Sequence, residues 1–330
     1  MSTPSTNPFR DLAAGVQELA ADDKFGLAYH QWSQNEIDAL TFAVASRRPL
    51  LVRGEAGCGK SQIARAAASV TKGKLLYEVI HPRYEALDLL YRYDVVERLA
   101  DAELRELDRT NARYVKRGRL WQAIEAMKED EHLPVLLIDE IDKADSDVPN
   151  ALLDVLGNRS FDVPQLAKTT ISAPAGRMPL VVITTNEERE LPPAFVRRCA
   201  VLNLNPPKDG AEFRTWLVDR GRVHKHLSVE ETVRERAAQQ VAQDRGDCDR
   251  VKYPPVGLAE YIDLLHALHE LVPDGPASGR RGGDAAKARE AAQHAMLDRL
   301  SRYALVKQPD QDQRRSPVAA PSSDDDRGPS

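Results

Sequence analysis

The chain predicts an α/β domain, with a mostly parallel sheet covered by helices on both faces, followed by a helical domain. Two observations carry that expectation. Apolar runs at Leu50–Val52, Leu75–Ile80, Pro134–Ile138, Leu180–Ile183 and Val201–Leu204 alternate with segments of helical periodicity. Strands buried on both faces read as such runs, and helices that cross between parallel strands fall on both sides of the sheet. From Pro206 onward the strand pattern stops and only helical periodicity continues.

Length and composition bound the rest. The 330 residues leave room for about two domains and a sizeable core. Charged residues at 29% and apolar ones at 42% are ordinary for a water-soluble globular protein. A net charge of -5 argues against nucleic-acid binding by bulk charge. No apolar run approaches the ~20 residues of a membrane span. The opening MSTPSTNPFRDLAAG has no basic segment followed by an apolar one, so no signal peptide is expected. Cys58, Cys199 and Cys248 are widely spaced, which predicts reduced thiols in the cytoplasm and neither a disulfide framework nor a zinc site.

In chain order, residues 1–32 read as a polar tail, loose to about Asn7, and a lead-in. Ser33-Gln-Asn-Glu36 reads as a capping box opening a helix with Ile37, Leu40 and Val44 inward. Tyr29, His30 and Trp32 stand just before it, either packed at the domain edge or against a bound base. The Leu50 strand then runs directly into Gly54-Glu-Ala-Gly57-Cys58-Gly59-Lys60-Ser61, which matches G-x-x-x-x-G-K-[ST] between a strand and a helix. Glycines there let successive backbone N–H groups curl around phosphate oxygens. Lys60 adds a full positive charge, and the Ser61 hydroxyl can hold Mg²⁺. This predicts binding of a nucleoside triphosphate. The helix is expected to bury Ile63, Ala64, Ala67 and Val70, with Gly73 just past its end.

After the Leu75–Ile80 strand, the region from His81 to Arg119 is longer than a plain crossover needs. Part of it reads as an insertion, with residues 81–104 helical in two pieces and Leu89, Leu90, Val95 and Leu99 apolar. Lys116, Arg117 and Arg119 form a small basic cluster, read as solvated, and Leu120–Met127 is a helix. The Pro134–Ile138 strand ends in Asp139 and Glu140. An aspartate at such a tip can hold Mg²⁺ and the next acid can polarise a water, which becomes a strong reading beside a phosphate loop. Pro149–Leu156 is expected as a helix ended by Gly157, and Ser160–Val163 with Thr169–Ser172 as a β-hairpin joined by PQLAK. The fourth strand emerges at Thr184-Thr185-Asn186, where Asn186 either turns the chain or orients a water. A short helix from near Leu191 ends in Arg197 and Arg198 ahead of the fifth strand.

Beyond Pro206, helices are expected over Asp209–Arg220, after a second capping box at Ser228-Val-Glu-Glu231, around Leu258–Leu268, and over Ala285–Leu305. Residues 273–283 read as a flexible loop and residues 306–330, with acidic Asp324–Asp326, as a disordered tail.

These motifs together resemble the AAA+ ATPases, and LIDEIDKAD, PNALLDVL, VVITTNEERELPPAFVRRC and the hairpin before Leu180 are similar to the MoxR branch. The resemblance spans about Ser33 to Leu271. It implies a P-loop NTPase domain over 33–205 with a pre-sensor hairpin, and a helical lid over 206–305. It further implies a ring, usually a hexamer, with ATP and Mg²⁺ bound between neighbours. By the same resemblance Gly54, Gly57, Cys58, Gly59, Lys60 and Ser61 surround the phosphates, and Ser61 and Asp139 serve the metal. Glu140 activates water, Asn186 is the sensor, and Arg198 is the finger reaching a neighbour's nucleotide, with Arg197 next in line. The lid arginine of many relatives would fall in Tyr253–Glu260, which has none; Lys252 is nearby.

Three function classes follow. The first is an ATP-driven machine that remodels a partner protein, such as one with a von Willebrand factor A domain, within a bacterial defence-type system in some relatives. The second is a nucleic-acid motor or restriction-type NTPase subunit, disfavoured by the acidic balance. The third is a nucleotide-gated scaffold with little turnover, against which Glu140, Asn186 and Arg198 argue, since a mere binder needs none of them.

Overall fold

The computed structural model describes residues 7–21, 25–129, 131–167, 169–251, 254–273 and 282–305. The chain divides into two compact units, residues 1–205 and 206–330. The tail at 306–330, most of the 273–283 loop, and Lys252 lie outside the described residues.

The first unit opens with a hairpin of β1 (Gly15–Leu19) and β2 (Ala28–Trp32), unexpected from the sequence pattern. Phe9 is fully buried beneath it, and Asn7 Nδ2 donates to the Thr41 carbonyl at 2.8 Å, so the chain is folded from residue 7. Helix α1 (Gln34–Ser46) carries the expected capping box: Ser33 accepts from the Glu36 amide and the Glu36 carboxylate accepts from the Ser33 amide. Strand β3 (Leu50–Gly54), helix α2 (Lys60–Thr71) and strand β4 (Lys72–Val79) follow. Gly73 lies just past the end of α2, as expected, but does not cap it. Lys72 takes the left-handed cap (φ 54°), and Gly73 lies within β4, where an added Cβ would stand 1.9 Å from the Leu133 carbonyl oxygen. Close approach of two strands, not helix termination, is what requires glycine there.

The insertion is only half helical. A 3₁₀ turn at Ala86–Leu89 leads to β5 (Tyr91–Tyr93), then α3 (Val95–Glu103) and β6 (Val115–Arg117), with β5 and β6 antiparallel. Two helical pieces do lie within residues 81–104, the first only a 3₁₀ turn; the small sheet is the unexpected part, and its tyrosines and Val115 favour strand. Leu89 and Leu90 are buried, whereas Val95 and Leu99 lie on the exposed face of α3. The basic cluster pairs with acids: Lys116 with Glu97 at 2.8 Å, Arg117 with Glu125 at 2.7 Å and Arg119 with Glu78 at 3.4 Å.

Helix α4 (Arg119–Glu129) leads into β7 (Leu133–Asp139), then α5 (Asp147–Asn158), which runs through Gly157 and is capped by left-handed Arg159. Strands β8 (Ser160–Val163) and β9 (Thr169–Ser172) form the expected hairpin. Strand β10 (Leu180–Thr185), helix α6 (Pro193–Arg198) and strand β11 (Ala200–Leu204) complete the unit. Helix α6 begins two residues later than expected, with Pro192 as its cap.

The central sheet has the order β11-β3-β10-β7-β4, and every pair in it is parallel. Its buried residues sort by the two-residue period of a strand. Leu51, Leu136, Ile138, Val181 and Ile183 pack with Leu120, Ile124, Leu152 and Phe195 of α4, α5 and α6. Leu50, Val52, Val135, Leu137 and Val182 pack with Leu40 and Ile63 of α1 and α2. Both faces are thus covered, which explains why the strands read as unbroken apolar runs.

Among its described residues the second unit has helices and no strand: α7 (Gly210–Val223), α8 (Glu231–Val251), α9 (Leu258–Leu271) and α10 (Gly282–Leu305). Asp209 caps α7 by accepting from the Ala211 and Glu212 amides. The capping box expected at Ser228 does not form, because α8 starts at Glu231 and the Ser228 backbone is held elsewhere. Its amide donates to His269 Nδ1, and its carbonyl accepts from Arg289 and Gln293. No helix among the described residues is long and apolar enough to cross a membrane.

Two glycines should respond oppositely to alanine. Gly73→Ala is expected to destabilise the protein by about 2–3 kcal/mol through overpacking against Leu133. Gly157→Ala, where nothing lies within 4 Å of the new Cβ, should stabilise it by about 0.5–1 kcal/mol through helix propensity. Thermal unfolding of the two variants, read as opposite Tm shifts, checks both.

Candidate functional site

The parallel register sets the site. Strands β3, β7 and β10 deliver their carboxyl ends side by side, so the loops after Gly54, Asp139 and Thr185 meet at one edge of the sheet. Ligand sites of open parallel sheets form at that edge.

The loop between β3 and α2 is shaped by its glycines. Gly57 and Gly59 adopt φ 76° and 96°, which side chains rarely tolerate. At Gly54 a Cβ would stand 2.4 Å from the Leu204 carbonyl oxygen and 3.0 Å from Cys58 Sγ. Gly59 precedes α2 without a side-chain cap, so the helix begins without a protein acceptor of that kind for its leading amides. Lys60 is buried, and its Nζ donates to the carbonyls of Gly54 (2.8 Å) and Glu55 (2.7 Å) and to Asn186 Oδ1 (2.7 Å). Burial pushes the Cys58 thiol above its ordinary value, with Lys60 opposing, so Cys58 stays a neutral thiol packed in the loop.

Asp139, at the tip of β7, is the meeting point. Its carboxylate accepts from Ser61 Oγ at 2.9 and 3.0 Å, from Tyr77 OH at 3.1 Å and from Thr184 Oγ1 at 2.5 Å. Burial, then the Asp139 charge, pushes the Tyr77 phenol up to about 12, which keeps it a donor at neutral pH. Glu140 stands next in a left-handed conformation (φ 60°, ψ 48°), and its amide donates to Thr184 Oγ1 at 2.9 Å. Its carboxylate is 2.5 Å from Lys143 Nζ and accepts from Asn186 Nδ2 at 3.4 Å. The Glu140 hydrogen bond raises the Lys143 ammonium above its ordinary value. Asp142, buried, accepts from the Glu188 amide at 2.9 Å and the Asn186 amide at 3.4 Å, which fixes the turn that presents Asn186.

Lys60, Ser61, Asp139, Glu140 and Asn186 are therefore in one contact network. Tyr77, Thr184, Asp142 and Lys143 join them without having been singled out from the sequence. Thr184 and Tyr77 carry hydroxyls on strands, where such residues are common for shape alone. The LIDEIDKAD stretch already held Asp142 and Lys143. His30 and Trp32 pack edge to face at 4.4 Å between centroids, and Trp32 Nε1 donates to Gln17 Oε1.

Arg197 and Arg198 stand apart from the network. They are exposed and end α6, just before β11, whose Ala200 pairs in register with Leu50. The phosphate loop begins at the other end of that register, where Leu204 pairs with Gly54. Four steps at ~3.3 Å per residue put about 13 Å of strand between the two ends. Among the described residues, no hydrogen bond or ion pair engages the Arg198 guanidinium.

A family comparison fits this geometry. Residues 49–199 match an AAA domain of the dynein-related subfamily. That span runs from β3 to the residue after α6. Together with the parallel sheet, it identifies the α/β unit as a P-loop fold of the AAA+ type. A RuvB variant of Thermotoga maritima is similar to 72% of this chain over 70% of its own, at 16% identity and a TM-score of 0.38. A Cytophaga hutchinsonii protein described as a candidate ATPase is similar to 69% of this chain over 71% of its own, at 13% identity and a TM-score of 0.35. No curated protein matches the chain.

The donor set fits a nucleotide and its metal. The loop leaves no room for Cβ atoms at Gly54, Lys60 reaches over it, and Ser61 with Asp139 offers oxygen ligands only, the chemistry Mg²⁺ takes. Thr184 is the hinge of that set, since one hydroxyl serves both acids. Thr184→Val, nearly equal in shape, should leave the Glu140 amide unpaired and cost about 1–3 kcal/mol. A chemical-denaturation midpoint unchanged from the parent would show that the hydroxyl carries no such weight.

Proposed function

We propose that this chain hydrolyses ATP as one subunit of a ring, in the manner of the MoxR branch of the AAA+ ATPases, and uses turnover to remodel a partner protein. The observation that carries this reading is the contact of Lys60, Asn186 and Glu140 in one cluster beside the Ser61–Asp139 pair. A site that only bound nucleotide would need the phosphate loop, without a carboxylate and an amide aligned next to it.

In this reading Lys60 and the loop amides hold the β- and γ-phosphates. Ser61 and Asp139 hold Mg²⁺, which when bound offsets phosphate charge. Glu140 accepts the proton of an attacking water that Asn186 helps to orient, and Lys143 holds the Glu140 carboxylate in place. Glu140 holds a left-handed backbone, a strain that an active site can carry. Arg198, on the far end of β11 from its own loop, would serve a neighbour's nucleotide, where an arginine contributes about a thousandfold or more in rate. The partner would be a protein, with a von Willebrand factor A domain as the type the resemblance implies. The helical unit would act as the lid.

Three variants separate the roles. Lys60→Ala should lose ATP binding, measured by titration with a fluorescent analogue. Glu140→Gln should bind ATP as the parent does and lose turnover, because the amide keeps the shape and cannot accept the proton. Arg198→Ala should bind ATP but hydrolyse it at most about a thousandth as fast. Mixing it with Lys60→Ala subunits, which still carry the finger, should restore activity. Normal hydrolysis by Arg198→Ala alone would remove the finger assignment and with it the case for a shared site.

A further inference from the structure

The helical unit gathers three imidazoles that the nucleotide machinery does not use. His224 follows α7, His226 lies two residues on in the connection to α8, and His266 sits within α9. Candidate ligand nitrogens of all three lie within 4.8 Å of one another. Their ring centroids are 5.9, 6.2 and 5.4 Å apart, and all three rings are half-buried. The backbone that carries the first two is anchored. The buried Arg234 guanidinium donates to the carbonyls of Gly221 and Leu227, both at 2.6 Å, and of Val229 at 3.2 Å, which fixes the connection on each side of His224 and His226. His266 is fixed by its helix, with Leu264, Leu265 and Leu268 buried around it.

We propose that His224, His226 and His266 bind a divalent transition-metal ion of the zinc type, with the fourth position open to water. Imidazole nitrogens suit Zn²⁺ and its neighbours, whereas Mg²⁺ prefers oxygen. Tetrahedral Zn–N bonds of ~2.0–2.1 Å hold ligand nitrogens about 3.3 Å apart, so the trio needs to close by about 1.5 Å, within reach of side-chain torsions. The ion would staple the α7–α8 connection to α9 and so fix the geometry of the helical unit, independently of the phosphate loop.

The test uses the full chain without an affinity tag, stripped by a chelator and kept in excess Mg²⁺ so that oxygen-ligand sites are satisfied. Titration with Zn²⁺ should show one ion per chain and a raised Tm. Co²⁺ in its place should develop the visible absorption of a tetrahedral nitrogen site. His226→Ala, in a connection rather than a helix, and His266→Ala should each weaken Zn²⁺ binding by about a hundredfold or more and abolish the Tm rise. Asp139→Asn, in the other unit, should bind Zn²⁺ as the parent does. A parent chain that takes up no stoichiometric Zn²⁺ would overturn the proposal without reference to any variant. Equal Zn²⁺ affinity in the parent and both histidine variants, with circular dichroism showing them folded, would overturn it as well.

Discussion

The carboxylate of Asp139 is the interaction on which the rest of the α/β unit depends. It stands at the end of β7 and draws in a hydroxyl from each of three other elements: Ser61 of α2, Tyr77 of β4 and Thr184 of β10. Charge-assisted hydrogen bonds of this kind are stronger than neutral ones. Here they pin together the helix that follows the phosphate loop and the two strands flanking β7, one of which leads directly into Asn186. A half-buried carboxylate with so many donors has its desolvation met by the protein, and the elements that meet it are thereby fixed in register.

From that point order passes outward one residue at a time. Thr184 uses its hydroxyl twice, giving to Asp139 and accepting from the Glu140 amide. The second bond helps hold Glu140 in the left-handed region, a conformation that costs a non-glycine residue of order 1 kcal/mol or more. Asp142 then accepts from the amides after β10, so one short turn orients both the second acid and the asparagine opposite it. The precision of the site is a property of hydrogen bonds between loops, each anchored on a strand that the core holds rigid on both faces.

Much of this was legible in the sequence, and the exceptions share a cause. The three inner strands β3, β7 and β10 announced themselves because a strand covered on both faces has no polar alternation to blur it. The phosphate loop announced itself through its glycines and Lys60. The Ser33 capping box formed because Ser33 and Glu36 satisfy each other locally, with His30 meeting only the second carboxylate oxygen of Glu36. At Ser228 the same local signal failed, since His269, Arg289 and Gln293 from distant parts of the chain take the backbone groups a cap would use. Strands β5 and β6 escaped notice because each is three residues long and their pairing depends on Gly118 lying against the Leu89 backbone, a contact no local pattern encodes. Tyr77 and Thr184 look like ordinary strand residues until the fold brings Asp139 between them. The imidazole trio is hidden for the same reason, with His266 on a different helix from the connection that bears the other two.

The in-register parallel sheet has a further consequence. Gly54, Asp139 and Asn186 are placed by how many residues each strand contains, counted from a common starting line at which Leu50, Ala200 and Val182 stand side by side. Site geometry is thus encoded as strand length. Insertions in the connections at the amino ends of the strands leave that count untouched and are free to accumulate, as the β8–β9 hairpin ahead of β10 illustrates. Loss of a single residue inside β10 would turn every later side chain to the opposite face and draw Asn186 back by one step, taking it from Lys60 and Glu140 at once. Lineages descending from this chain would therefore be expected to vary widely in what they hang on the sheet, while the spacing from each strand's first paired residue to its functional tip stays constant.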